Sequence, residues 1–163
     1  MPSFLWGSLL SGAAVSLATT VTLAGLARLE GKPALQPLNA TSHWRHGDPA
    51  GRVRRFDIRH TIVGYVTHFA ASVFWAAIFQ AIRRTAPGRA PLADAVGLTA
   101  VAAVVDYGVV PERLTPGWEK VVSPKAIAVA YAAMTLILLV TGPKRTNRAA
   151  AGATPIRHQG AAT

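Results

Sequence analysis

The sequence predicts an all-α protein, a four-helix transmembrane bundle with an interfacial segment in its first loop. Three observations carry that reading. Of the 163 residues, 51% are hydrophobic and only 15% charged, with a mean hydropathy of +0.31. The charges gather into short segments, which leaves four long apolar runs near residues 4–27, 60–82, 92–110 and 126–142. Proline, glycine and arginine punctuate the gaps between them, as expected where spans end in turns. At ~1.5 Å per residue each run is long enough, or nearly so, for a ~30 Å hydrocarbon layer. Residues 1–146 are therefore expected to form one membrane domain. Residues 147–163, where Gly, Ala, Thr and basic residues alternate without a period, are expected to be a disordered basic tail.

The formal net charge of +10 points toward nucleic acid only at first sight, since a basic balance is also what bilayer-facing loops carry. No basic groove interleaved with aromatics is present, so the expected partner is the lipid bilayer and not nucleic acid. The absence of cysteine excludes disulfides, thiolate metal sites and cysteine nucleophiles. No phosphate-cradling, nucleophile–base or recognised metal-ligand spacing occurs, so no cofactor, no metal and no catalytic set is expected.

The first span, 4–27, lacks any charge. It has no basic segment before it and is too long for a secretory signal core, so it is expected to remain in the mature protein. Ser8, Gly12, Ser16 and Thr20 are four apart, and Gly7 with Ser11 makes a parallel row. Small-residue rows let helix backbones approach closely in a membrane, within the bundle or between copies in a homo-oligomer. Residues 28–59 form the longest polar segment and hold seven of the 17 basic residues. Within it, residues 38–44 (LNATSHW) are expected to form a short helix lying at or dipping into the interface, with Trp44 as an anchor. Asp57 is a plausible cap for the second helix, although Val53, Phe56 and His60 share a face and predict an earlier start.

The second span carries His60, Gly64, His68 and Ser72 at intervals of four, which lines two imidazoles, a glycine and a hydroxyl along one helical face. A histidine within a span is costly in lipid, so this row is expected to face other helices. Pro87, Gly88 and Pro91 mark the turn to the third span. There Asp94 lies in the first turn, where the helix dipole favours a carboxylate, and Asp106 in the last, where it does not and needs a partner or water. Pro111, Pro116 and Pro124 break the next connection, and Pro143 ends the short fourth span.

Four spans put loops one and three on one face and both ends of the chain on the other. Loops one and three hold seven and three basic residues, against three in loop two and four in the tail, a count that leans toward a cytoplasmic face for loops one and three. Asn39, His43, Asp57 and His60 then share a face with Asp106, Glu112, Arg113, Trp118 and Glu119, whereas loop two offers nothing comparable. His60 is expected at the mouth of the bundle with His68 two turns deeper. Asp106 is expected to approach His60 more readily than His68. Each residue has a plainer reading beside this one. His43 and His46 are spaced as metal ligands on one turn, with Asp57 or His60 to complete a site, yet they also read as loop histidines. His68 could relay protons or simply hydrogen-bond a Ser or Thr of the first helix. Glu112 or Glu119 with Arg113 reads as a surface ion pair, and Trp118 as an interfacial belt residue.

Two segments carry a resemblance. VTHFAASVFWA (66–76) and LTPGWEKVVS (114–123) resemble the corresponding helix and last-helix entry loop of YagU-type bacterial inner-membrane proteins. The resemblance implies a multi-pass protein of the bacterial inner membrane connected with acid or stress tolerance, without established catalytic residues. The expected function is accordingly non-enzymatic. The rival expectations are a small transporter or proton pathway using His68 and Asp106, and an enzyme acting on lipid headgroups through interfacial acids and histidines.

Overall fold

A computed structural model describes residues 2–143; the expected basic tail, 147–163, lies outside the described residues. The described chain is all-α, and four of its helical stretches are long and apolar enough to cross a membrane: Phe4–Leu29, Ile58–Thr85, Pro91–Val109 and Pro124–Thr141.

Helix α1, Pro2–Leu29, runs unbroken because no proline or charge interrupts it before Arg28. Gly31, at φ 73°, closes it: a left-handed residue lets the amide of Lys32 return to the carbonyl of Ala27 at 2.8 Å, a turn that glycine makes without steric cost. The chain then folds back through two short helices, α2 (Gln36–Thr41) and α3 (His43–His46). The expected interfacial helix over 38–44 is thus two pieces. Asn39, Ala40, Thr41, Ser42 and His43 are all buried, so the segment packs into the bundle mouth, the dipping form of the expected interfacial segment.

Residues 53–57 are not helical, which corrects the early start suggested by the Val53–Phe56–His60 spacing. Asp57 does cap the second span, accepting from the amide of His60 at 2.9 Å. That span opens with a π turn, Ile58–Ile62, and continues as α4, Val63–Thr85. Helix α5, Pro91–Val104, starts on a proline whose missing N–H costs nothing at a helix start, and it ends in a second π turn, Val105–Val109. Helix α6, Pro124–Thr141, begins at Ser123, whose hydroxyl accepts from the amide of Ala126.

Helix α1 packs against α4 and α6, and α5 against α6 and α4. A methyl group added at Gly12 would sit 2.5 Å from the Cα of Val73, so the first small-residue row is consumed in bringing α1 onto α4. Ser11 reaches the carbonyl of Thr141 on α6 and accepts from Gln80 on α4. Phe79, Ala95, Leu98, Ala102, Met134 and Leu138 form one apolar core, and Leu23, Ala27, Trp118, Val121 and Val122 a second nearer loops one and three. The outward faces of all four helices present Leu5, Leu17, Val21, Phe74, Val101, Val129 and Leu136, the exposed apolar belt of a chain whose solvent there is lipid.

Candidate functional site

Helix α4 turns its row of small and polar residues inward: Gly64, His68, Ser72 and Ala76 are buried. Gly64 lies so close to the carbonyl oxygen of Leu38 in α2 that no side chain fits there. Four residues on, His68 Nε2 lies 2.8 Å from Thr19 Oγ1, and that hydroxyl lies 2.8 Å from the carbonyl of Val15. A hydroxyl has one proton; with it on the carbonyl, Nε2–H is the donor and Thr19 the acceptor. The hydrogen bond expected between His68 and a Ser or Thr of the first helix is thus made, to Thr19. The His68 ring also meets Trp118 edge-on, 5.5 Å between centroids.

Trp118 is only 7% exposed, which corrects its reading as a belt residue. Gly117 precedes it at φ 82°, turning loop three inward against Ala40, and the indole N–H finds an internal acceptor in Thr41 Oγ1 at 3.2 Å. An indole placed among apolar neighbours with its N–H satisfied belongs in a core. Trp44 stays 38% exposed while its N–H donates to the carbonyl of Thr115 at 2.7 Å, so it ties loop one to loop three.

Asp106 lies in the π turn that ends the third span, and its needed partner is Tyr131 of α6, whose hydroxyl donates to Oδ2 at 2.6 Å. The ring of Tyr131 stands 6.1 Å from Trp118 and 6.3 Å from Tyr107. Thus His68, Trp118, Tyr131 and Asp106 form a continuous line across the bundle. They border a cavity of about 600 Å³, well within the size of small-molecule sites. Its walls are mainly apolar: Val15 of α1, Ala71 and Trp75 of α4, Val105 at the end of α5, Ala130 and Met134 of α6. Leu114 and Pro116 of loop three, with Trp44, roof it. Val66 and Phe74, each 58% exposed on the outer flank of α4, form its rim, so the cavity reaches the lipid-facing surface.

Asp106 therefore shares a cavity with His68 and not with His60, the reverse of the sequence expectation. His60 Nδ1 pairs with Asp57 Oδ1 at 2.9 Å, and its ring lies 4.7 Å from that of His46. That hydrogen bond holds the Asp57 carboxyl below the usual carboxylate range. The remaining expected residues separate into further groups. Asn39, fully buried, donates to the carbonyls of Val53 and Arg55 and accepts from Thr61, a staple between α2 and the start of the second span. His43 places its ring nitrogens 3.0 Å from the carbonyl of Ala40 and 3.3 Å from that of Glu112. Glu112 and Asp48 both face Lys120, whose ammonium is raised above its ordinary range chiefly by Asp48. Glu119 accepts from Thr115 at 2.6 Å. Arg113 pairs with no carboxylate among the described residues, so the expected Glu112–Arg113 or Glu119–Arg113 pair does not form. Nor do three His, Asp or Glu side chains converge as metal donors among the described residues.

Two features have no counterpart in the sequence expectations. One is the pair of π turns, which place Asp106 and displace His60. The other lies at loop two: Asp94, its side chain fully buried, binds Arg83 through Oδ2 and Arg89 through Oδ1, both at 2.6 Å. The placement of Asp94 in a first turn is legible in the sequence; its two arginine partners are not. No protein-family model, curated protein or solved structure matches this chain.

Proposed function

We propose that this membrane protein binds an amphiphilic small molecule drawn from the bilayer, a non-enzymatic role. The observation that carries the reading is the 600 Å³ cavity, whose rim is on the lipid-facing flank of α4 and whose polar end is Asp106 with Tyr131. Apolar walls with a few convergent polar groups are the usual make-up of a ligand site. A terminally brominated dodecyl chain with a hydroxyl head tests it, because three of the four tryptophans, Trp44, Trp75 and Trp118, line the cavity and bromine quenches indole fluorescence on contact. Saturable quenching is expected in detergent micelles, and its loss in Ala71→Phe, which fills the cavity wall. Linear, non-saturating quenching in both proteins would defeat the proposal.

A second reading is a proton pathway, favoured by the one observation that His68 and Asp106 border the same cavity. Liposomes holding a pH dye separate the two: a proton flux abolished by Asp106→Asn supports the pathway. The resemblance to YagU-type proteins supports a place in the bacterial inner membrane and a part in acid tolerance. Growth of a deletion strain across pH tests that part, and growth equal to the parent at every pH would remove it.

A further inference from the structure

The chemistry of the cavity is narrower than its shape. Among the described residues, Asp106 is the one acidic side chain on its wall, and no lysine or arginine lines it. The carboxylate receives one hydrogen bond, from Tyr131 to Oδ2; among the described residues nothing donates to Oδ1. A carboxylate in an apolar site without a countercharge is costly, and a ligand that supplies the charge removes that cost. The surrounding wall is rich in rings: Trp44, Phe74, Trp75, Trp118 and Tyr131. Aromatic faces carry negative electrostatic potential and attract cations, most strongly where water is excluded. His68, the other titratable side chain besides Tyr131 on the wall, stands beyond the Trp118 ring from Tyr131, with Nε2 engaged by Thr19. Beside the ionised form of Asp106, an anionic head would meet a second negative charge and a neutral head would leave Oδ1 without a countercharge.

Resting on the cavity reading above, we propose that the occupant is a lipophilic organic cation, its apolar body against the walls of α1 and α4 and its ammonium-type centre beside Asp106. The carboxylate supplies the countercharge, the rings supply the desolvated cation–π surface, and the rim between lipid and cavity supplies the route of entry.

Three terminally brominated dodecyl probes that differ only in the head, trimethylammonium, hydroxyl or carboxylate, test this with the full chain in neutral detergent micelles. The ammonium probe is expected to half-saturate tryptophan quenching at about tenfold lower concentration than the hydroxyl probe, a factor within reach of one ion pair and its cation–π contacts. The carboxylate probe is expected to be the weakest. Asp106→Asn, which keeps an acceptor for Tyr131, is expected to raise the ammonium half-saturation to that of the hydroxyl probe. On the unaltered chain, bound ammonium probe should be displaced by tetraphenylphosphonium and not by tetraphenylborate, which has the same shape and opposite charge. That arm needs no variant to fold. Equal half-saturation by the ammonium and hydroxyl probes, or displacement by both tetraphenyl ions alike, overturns the cation inference while saturable hydroxyl-probe binding leaves the cavity reading standing. If no probe saturates, both readings fall.

Discussion

The two ends of the bundle solve the same problem, polar groups at a membrane face, in opposite ways. At loop two, five residues join α4 to α5, and one buried carboxylate, Asp94, is gripped by two arginines. At the other end, Asn39 and His43 bond backbone carbonyls within loop one, and loops one and three are joined by the Trp44 bond to Thr115 and by the solvent-facing Lys120–Asp48 pair. The first arrangement concentrates charge and cancels it locally, so the helices close over Phe79, Ala95, Leu98 and Leu138. The second spreads many weak ties over the surface of the mouth and leaves Asp106 facing a cavity. Charge is thereby concentrated and cancelled at one end, and the cavity opens toward the other.

That contrast breaks most directly at Asp94. Asp94→Ala leaves Arg83, its side chain 2% exposed, short of its buried countercharge, and removal of one partner from such a pair costs about 3–5 kcal/mol. Thermal unfolding in micelles should register this as a larger loss than any single substitution at the open end produces. Replacing both partners, Arg83→Met with Asp94→Leu, should recover most of it, because no orphan charge remains in the core. Asp106→Asn, at the open end, keeps its hydrogen bond from Tyr131 and should cost under about 1 kcal/mol. A greater loss from Asp106→Asn than from Asp94→Ala would overturn the division between the two ends.

The next effect probes how tightly the mouth is plugged. Gly64→Ala drives a methyl group into the backbone carbonyl of Leu38, an overpacking expected to cost about 1–3 kcal/mol. Gly97→Ala on α5, where nothing lies within 4 Å of the added carbon, should instead be neutral or gain about 0.5–1 kcal/mol from helix propensity. Hydrogen exchange would locate the damage: Gly64→Ala should free the amides of α2 and leave those around Phe79 protected.

The spans are legible in the sequence because a charge inside a span is costly, so the apolar runs have little freedom in where they end. The inward row of α4 is legible too, from Gly64 onward, as is the need of Asp106 for a partner. His60 falls outside that row for an identifiable reason. It sits within the π turn Ile58–Ile62, where each turn takes an extra residue, so the four-residue spacing that links Gly64, His68 and Ser72 does not extend back to it. Trp118 carries no sign of burial, since an indole beside a loop has the same sequence context whether it meets headgroups or a folded-back segment. The cavity is not legible at all, because its walls come from helices distant in sequence.

A smaller effect sharpens the line that crosses the bundle. Thr19→Val keeps the shape of the side chain but removes the acceptor of the His68 Nε2–H, and a buried donor left unpaired costs about 1–3 kcal/mol. Thr19→Ser retains the hydroxyl and should lie near the parent. Thermal unfolding of the pair, with the hydroxyl-headed brominated probe as a second readout, distinguishes a structural tie from a cavity group. A fall in melting temperature for Thr19→Val with an unchanged half-saturation would identify His68 as a tie between α1 and α4.

The smallest effect is a dependence on pH at the open end. Glu30, just past α1, accepts from both the amide and the hydroxyl of Ser123 at the start of α6, the hydroxyl at 2.5 Å. The Ser123 hydroxyl is the chief reason that its carboxyl is held below its ordinary value. A carboxyl whose folded value is depressed contributes stability above its unfolded value, about pH 4.3, and loses that contribution as pH falls through the lower folded value. The melting temperature of the parent should therefore decline on acidification below about pH 5, with Glu30 and Asp57, depressed in the same direction by His60, both contributing. Glu30→Gln removes one titrating group while keeping an acceptor for Ser123, so its decline should be shallower and its melting temperature nearest the parent's at the acid end. An identical slope in parent and variant would mean that the junction of α1 and α6 is not held by this charge.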